Sequence, residues 1–574
     1  MIINNNEIVL YKNKTEEDLI ENLFEYLEKN EIRETLYAHN LTFDGLIIIE
    51  NITKKKKIKF NAILFKSSIY EMEIWSKKFK LKLKCSLKLF PLPLKKIGKL
   101  IGEDSEKIDF PHEFVKEDNY LTYQGIHPRD NKIIKWNLRE ECIKYCIKDC
   151  KIVNKMLNII FKEEKVKEEL KSRSISGLSL EVFKKIFNKK GLETCMNKEN
   201  DKIIREAYFG GRCEVFGNAK EEERIFHFDF TGMYSEIMKE EFCFGKIKIE
   251  KEIETKEIEE PGFYEVTVIS KEMKIPVLPY RNEDGKLIFP NGKWKGTYWY
   301  EEIKLFIEEG GTVEKVHKKI TFEKKDKPFI DFINYFSKLR NKSNLDNVFW
   351  KLFVNSIYGR MGMSENKEKT EIVDIRKYRK IEKNKRIIKE IIINNAMIIT
   401  YVENREKKEI DSNVAIAAAI TSKARIKLFK AYKEVIKKEG RLLYSDTDSI
   451  FAAYKRDVSG EKHGEILWDI DKKDTIIEKA IFAIPKGYAL KFKEDSTIKI
   501  KGFKKDSISY EEFEKTFKEK KELVTTESYL EKVTFQLKFK EIEKTIILHN
   551  YDKRKFNKDK SDTEPLYIEK IIDP

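Results

Sequence analysis

The stretch "RLLYSDTDSIFAAY", residues 441–454, places two strand-like runs on either side of a turn so short that only an antiparallel hairpin can join them. The tip of that hairpin carries Asp446 and Asp448, one residue apart. Uncompensated, the two carboxylates repel and one pKa rises. A divalent cation removes the conflict, because Mg²⁺ prefers hard carboxylate oxygens and takes only one or two of them from protein. An ordinary acidic surface turn reads the same way in isolation, so a second acidic strand end is the deciding feature. "IFHFDFTGMYSEIM" (225–238) supplies it: Asp229 closes a short alternating strand, and a turn at Gly232 and a helical start follow. One carboxylate beside a hairpin bearing two more is how a two-metal site for in-line phosphoryl transfer is built. The ions there activate an attacking hydroxyl and neutralise charge on the transferred phosphorus. The turn after Asp229 would offer backbone N–H groups to phosphate oxygens.

A third element, "KLFVNSIYG" (351–359), reads as helix, which puts Lys351, Asn355 and Tyr358 at i, i+4 and i+7 on one face. A cation, an amide and an aromatic ring suit a nucleoside triphosphate. A snorkelling lysine and a core tyrosine on an unremarkable helix would give the same pattern. Charge is compatible with a polyanionic partner: the 574 residues carry a formal +16 and a pI near 9.0. A chain rich in Lys, Ile and Asn, as an A+T-rich gene encodes, reaches that charge by composition alone.

The length suggests about three to five domains, and 37 Phe with 25 Tyr supply ample core. No apolar run approaches the ~20 residues of a membrane span, and the N-terminus resembles neither a signal nor a transit peptide. We expect a soluble intracellular protein without membrane partners. Seven scattered cysteines make no disulfide framework. Cys142, Cys146 and Cys150 recur every fourth residue, and we read them as small thiols on a core-facing stripe rather than as a metal site. The lysines of "TKKKK" (54–57) read as a solvated loop. Residues 1–160 alternate strand-like and helical runs, strands dominate from about 200 to 270, and 364–410 is charge-dense and poor in landmarks.

Together the motifs resemble those of family B DNA polymerases. "DFTGMYS" is similar to DxxSLYPS, "KLFVNSIYG" matches KxxxNSxYG, and "YSDTDS" matches YxDTDS, in the family's order. Gly232 stands where the family usually has Ser, and Ser235 where it has Pro. The resemblance implies an α+β multidomain fold, a right hand of palm, fingers and thumb that copies template/primer DNA from dNTPs. It implies two Mg²⁺, with Mn²⁺ as substitute, on Asp229, Asp448 and the Phe230 backbone carbonyl, and Asp446 in the same catalytic cluster. Tyr234 takes the steric-gate position against a ribose 2′-OH; Lys351, Asn355, Tyr358 and Arg340 would contact the nucleotide. A descendant that binds DNA without synthesis would keep the charge and lose the carboxylates.

Finer marks resemble the protein-primed branch of phages and of linear plasmids in mitochondria or cytoplasm. "YFGG" (208–211) is similar to its YxGG/A motif, which implies template contacts at Tyr208, Gly210 and Gly211. "KGY" (486–488) is similar to KxY, which implies that Lys486 and Tyr488 hold the primer terminus. The branch implies a monomer, a terminal protein as primer, and two insertions, here near 275–325 and 364–410. The expected layout is palm at about 200–275 and 410–500, fingers at 326–363, and thumb from about 505 to 574, within a polymerase domain of 166–574. Residues 1–165 resemble a ribonuclease-H-like 3′–5′ exonuclease-type domain. "HNLTFD" gives Asn40, Phe43 and Asp44, "YCIKD" gives Tyr145 and Asp149, and "SLKLF" gives Ser86 and Leu87 as single-strand contacts, with Phe43 stacking on a base. Residues 1–38 contain no DxE, the family's first exonuclease motif, so the opening strand is absent, and "NEIVLY" reads as a later strand. Either the domain keeps its shape and hydrolyses poorly, or an upstream stretch is missing from the sequence.

Overall fold

A computed structural model describes residues 2–3, 6–7, 16–53, 58–65, 68–102, 122–126, 133–167, 172–189, 191–192, 198–254, 256–363, 368–375, 385–393, 396–403, 413–459, 461, 467–468, 476–503, 508–533 and 536–570. The "TKKKK" lysines lie outside them.

The sheet that positions the acidic residues has five strands. In spatial order they are Leu467–Trp468, Arg224–Asp229, Ser449–Tyr454, Arg441–Asp446 and Cys213–Val215. Its two central strands form the expected hairpin, with Asp446 paired to Ser449 and only Thr447 and Asp448 between them. Strand Arg224–Asp229 runs antiparallel to Ser449–Tyr454, in a register that sets Asp229 opposite Ser449. Three carboxylates from two distant segments therefore meet at one end of the sheet. The helix Val414–Lys437 packs against this sheet; its first half, "VAIAAAI", is buried throughout. Asn413 caps it, its side chain accepting from the Ile416 N–H at 3.2 Å.

Facing that end are two helices, Ile330–Leu339 and Asn344–Met361, joined by a short turn. The second is capped by Ser343, which accepts from the Asp346 N–H at 3.1 Å. Its buried side, Phe349, Trp350, Phe353 and Ile357, interlocks with Phe332 and Phe336 of the first. That leaves Lys351, Asn355 and Tyr358 toward the cleft side. Residues 242–326 fold largely as a separate sheet of long strands, which the parallel strand Tyr567–Lys570 extends by pairing with Asn291–Trp299. Helix Tyr510–Glu519 and a ribbon of Glu522–Val533 with Gln536–Ile547 lie between those regions in sequence.

The N-terminal sheet holds a feature the sequence did not announce. Its strands Lys59–Phe65, Ser68–Trp75, Lys80–Cys85 and Arg33–Ala38 are extended by Lys369–Asp374, which pairs antiparallel with Lys59–Phe65; Ala396–Glu403 and Lys385–Ile393 follow. The landmark-poor 364–410 segment is thus partly an extension of a sheet three hundred residues upstream. Ile372 and Ala396 enter that sheet's core. Helix Leu138–Phe161, in contrast, buries Ile152, Met156 and Ile160 in the larger core shared with residues 175–458. Of "NEIVLY", Asn6–Glu7 pairs with Ile2–Ile3 in a two-stranded ribbon, and residues 8–11 lie outside the described residues.

The cysteine expectation is corrected. Cys142 and Cys146 are exposed and Cys150 is half-buried. Along Leu138–Phe161, burial among the described residues begins only at Ile152, so the first half of the helix carries its thiols toward solvent. Among the described residues no helix is long and apolar enough to cross a membrane.

Candidate active site

The hairpin tip is held from below by backbone. Thr447 adopts a left-handed conformation (φ 68°), rare for a β-branched residue. Its N–H donates to the Arg212 carbonyl at 2.8 Å, and the Asp448 N–H donates to the Asp446 carbonyl at 2.8 Å. The Phe230 N–H donates to the Asp448 carbonyl at 3.0 Å, tying the end of the Asp229 strand to the hairpin. That N–H is therefore engaged within the protein. Gly232 takes φ 70°, which suits glycine at this turn; Ser235 Oγ donates to its carbonyl at 2.8 Å.

The three carboxylates are not equivalent. Lys486 sits at the turn between Lys479–Ile484 and Gly487–Lys491, and its ammonium donates to both Asp446 oxygens at 3.0 and 3.2 Å. Burial disfavours that ammonium, but Asp446 outweighs it and the lysine pKa is raised. Asp446 is thus already compensated. The Asp448 pKa is pushed up to about 6, by burial first, then by the Asp229 charge and less by Asp446, against opposing effects from a backbone hydrogen bond and from Lys351. Among the described residues no group of three or more His, Cys, Asp or Glu side chains is gathered to hold a metal ion. The centre on offer is the pair Asp229 and Asp448.

Above the pair opens a cleft of about 420 Å³, lined by Tyr234, Asn355, Tyr358, Asp446, Thr447, Asp448, Ser449, Lys486 and Lys499. Tyr234 and Tyr358 stack with ring centres 4.5 Å apart and planes 10° from parallel. Burial raises both phenol pKa values, so both rings are neutral walls. Asn355 Oδ1 is buried without a hydrogen-bond partner, an orphaned acceptor at the cleft. Arg340 Nε donates to Asn347 Oδ1 at 3.0 Å, one turn before Lys351 on the same helix face.

Other expected contacts divide. A Cβ on Gly211 would meet the Thr447 side chain at 2.8 Å, so this glycine is needed for packing under the hairpin; Gly210 faces open space. Tyr208 is half-buried against Gly362 at the end of the facing helix. Tyr488 is a correction in exposure, because its ring is buried among Tyr444, Phe451 and Phe482. Ser86 is a second correction: it is fully buried, 3.1 Å from His39 Nδ1, while His39 Nε2 lies 3.0 Å from the Leu92 carbonyl. Leu87 packs partly into the N-terminal core. Phe43, in contrast, is 47% exposed, as a stacking platform must be. Asn40 holds φ 69° at the start of that turn. Asp44 opens the helix Thr42–Thr53, and Tyr145 and Asp149 lie one turn apart on Leu138–Phe161; the described residues gather no metal-holding group there either.

Two residues escaped sequence reasoning. Lys499 lines the cleft from a strand of unremarkable pattern. Arg425 binds Glu302 through both carboxylate oxygens at 2.7 and 2.8 Å and donates to the Phe209 and Gly210 carbonyls, fixing the "YFGG" loop. An arginine following the apolar run "NVAIAAAI" was the available signal.

The model of the family described as DNA polymerase type B, organellar and viral, matches residues 25–438. A probable DNA polymerase of Podospora anserina is 27% identical over 500 residues, 77% of this chain and 41% of that protein. The DNA-directed DNA polymerase of Enterobacteria phage PRD1 is 24% identical over 521 residues, 86% of this chain and 79% of that one. The chain spans between 41% and 49% of the length of the fungal relatives it matches. Among solved structures, Phi29 DNA polymerase in complex with primer-template DNA and incoming nucleotide matches with a TM-score of 0.67 at 19% identity, over 92% of each chain. That likeness shows the fold, a right hand with an N-terminal exonuclease-type domain. The chain belongs to the organellar and viral family of type B DNA polymerases.

Proposed function

We propose that this chain is a template-directed DNA polymerase that adds dNTPs to a primer 3′-OH, with a terminal protein as primer for a linear genome and the monomer as the working unit. The observation that carries the reading is the meeting of Asp229 with the hairpin carboxylates at one end of the sheet, where the Asp229 charge raises the Asp448 pKa and Lys486 binds Asp446. Two hard carboxylates without a third suit Mg²⁺, which keeps its other positions for water and phosphate. Asp229, Asp448 and the Phe230 carbonyl would hold two such ions, with Mn²⁺ as substitute, and when bound these supply activation of the 3′-OH and neutralisation of the triphosphate.

The chain's own groups do the rest. Lys351, with Arg340 held on Asn347 one turn before it, binds the triphosphate as a cation, and the unpaired Asn355 Oδ1 accepts from the nucleotide. The Tyr234–Tyr358 stack closes the space a ribose 2′-OH would need. Lys486 is half-exposed beside Asp446 and reaches the backbone of the primer terminus. Tyr208 and the loop through Gly211 sit on the template side, fixed by Arg425. The protein works in a soluble intracellular setting, a mitochondrion, cytoplasm or phage-infected cell. Its N-terminal domain, with Phe43 exposed, holds a single strand, and it hydrolyses that strand poorly unless an upstream stretch supplies the first exonuclease motif.

Extension of a primed template with dNTPs tests the reading. The wild type extends the primer, and Asp448→Asn lowers the rate by on the order of 10³-fold or more while primer-template binding stays within about threefold. Synthesis persisting in Asp448→Asn refutes the assignment. Binding without any wild-type extension favours a DNA-binding replication factor instead.

A further inference from the structure

We propose that Arg212, Glu214 and Arg554 form a buried charged lock that positions the catalytic hairpin; the inference rests on the polymerase reading above. Arg212 and Glu214 lie in or beside the edge strand Cys213–Val215, which pairs with the hairpin strand so that Glu214 is opposite Ser445 and Cys213 opposite Asp446. Both are buried, at 2% and 0% exposure. Arg212 Nε donates to Glu214 Oε2 at 2.8 Å, its Nη2 lies 2.7 Å from the same oxygen as an ion pair, its Nη1 donates to the Pro276 carbonyl at 2.7 Å, and its guanidinium lies 3.9 Å from the Phe289 ring centre. Its backbone carbonyl is the acceptor that holds the Thr447 N–H. The side chain therefore anchors the residue whose carbonyl holds the left-handed Thr447 at the hairpin tip.

Arg554 completes the arrangement from the far end of the chain. It is 1% exposed, and donates to Thr563 Oγ1 at 2.8 Å and to the Lys274 carbonyl at 2.9 Å. Phe216, which continues the edge strand, has the Arg212 and Arg554 guanidinium groups 5.7 and 5.1 Å from its ring centre. The same C-terminal segment ties Tyr551 to both the N–H and the carbonyl of Val215. Four stretches remote in sequence thus meet behind the hairpin.

This is an expensive way to stabilise a fold. Two arginines and one glutamate are removed from water, and Arg212 Nη2, Glu214 Oε1 and Arg554 Nη1 still have no hydrogen-bond partner. Apolar side chains of the same volume would pack there with equal or better stability. What they would not reproduce is the directional grip on residue 212, and through it on Thr447, Asp446 and Asp448. The lock acts through those residues and touches no substrate.

The decisive experiment compares wild type with Arg212→Met/Glu214→Leu, and with Arg212→Lys as the conservative variant. Amide hydrogen exchange is read over residues 444–450 and, as control, over 344–361, together with kcat, dNTP KM and primer-template affinity. The double variant should remain folded, exchange the hairpin amides about tenfold faster or more with the control helix unchanged, and lose about 10²-fold in kcat. KM and DNA affinity should move less than about twofold. Arg212→Lys, which keeps the charge but not the fork, should recover part of kcat. A folded double variant with wild-type hairpin exchange and wild-type kcat overturns the proposal, as does a loss confined to KM or to DNA affinity. If the double variant fails to fold, Arg212→Lys decides alone, by faster hairpin exchange for the lock or unchanged exchange against it. A wild type that does not synthesise DNA refutes the polymerase reading, while the exchange experiment still tests the lock.

Discussion

Replacing Asp448 by asparagine should stabilise the metal-free protein while abolishing synthesis. Burial and the neighbouring Asp229 move its carboxyl from 3.8 to about 6. About two pKa units at ~1.4 kcal/mol each cap the effect near ~3 kcal/mol, and solvent in the cleft screens it to ~1–2 kcal/mol. The folded pKa lies above the unfolded one, so the folded state holds the proton more tightly. Its stability contribution is complete below about pH 4 and is lost as pH rises from about 4 to about 6. Urea unfolding in EDTA, followed through exchange protection of the strands 441–454, should place Asp448→Asn above wild type by ~1–2 kcal/mol at pH 8. The difference should close by about pH 4. Mg²⁺ should then raise the wild type by mass action and the variant less, narrowing or inverting the gap. An Asp448→Asn protein equal to or less stable than wild type at pH 8 in EDTA would refute the idea that these carboxylates oppose one another.

Three further outcomes follow from the cleft and the exposed helix. Tyr234→Ala opens the space beside Tyr358 and should raise ribonucleotide incorporation on the order of 10²-fold, measured as the ratio of kcat/KM for rNTP and dNTP. Lys486→Met should weaken primer-template binding and reduce the slope of log affinity against log salt by about one; an unchanged slope would mean that this ammonium serves Asp446 alone. Cys142 is exposed, and a hydrogen bond from Cys146 lowers its pKa, which favours the reactive thiolate. Timed iodoacetamide labelling with peptide mass spectrometry should find it modified well before the buried Cys85, Cys213 and Cys243.

Much of the candidate site's local structure was legible because its signals are local. Two strand-like runs with two residues between them can only be a hairpin, and the period of a helix alone aligns Lys351, Asn355 and Tyr358. Burial was less legible, since it depends on what covers a face. The phase of Cys142 and Cys146 matches that of Val153, yet only the second half of the helix is covered. Ser86 and Tyr488 stand in motifs that suggest contact with DNA, but His39 claims the first and three aromatic rings enclose the second. Pairings across hundreds of residues left no trace at all. Nothing in "KTEIVD" (369–374) points to the strand 59–65, and Arg212, Glu214 and Arg554 read as three unrelated surface charges until the fold brings them together.

Anomalous scattering from Mn²⁺ soaked into crystals with a primed template and an unreactive nucleotide reports directly where cations settle. The density should lie against the carboxylates of Asp229 and Asp448, with Asp446 still bound to Lys486. Density on Asp446 alone, or none near residues 229 and 448, would contradict a metal centre built on that pair.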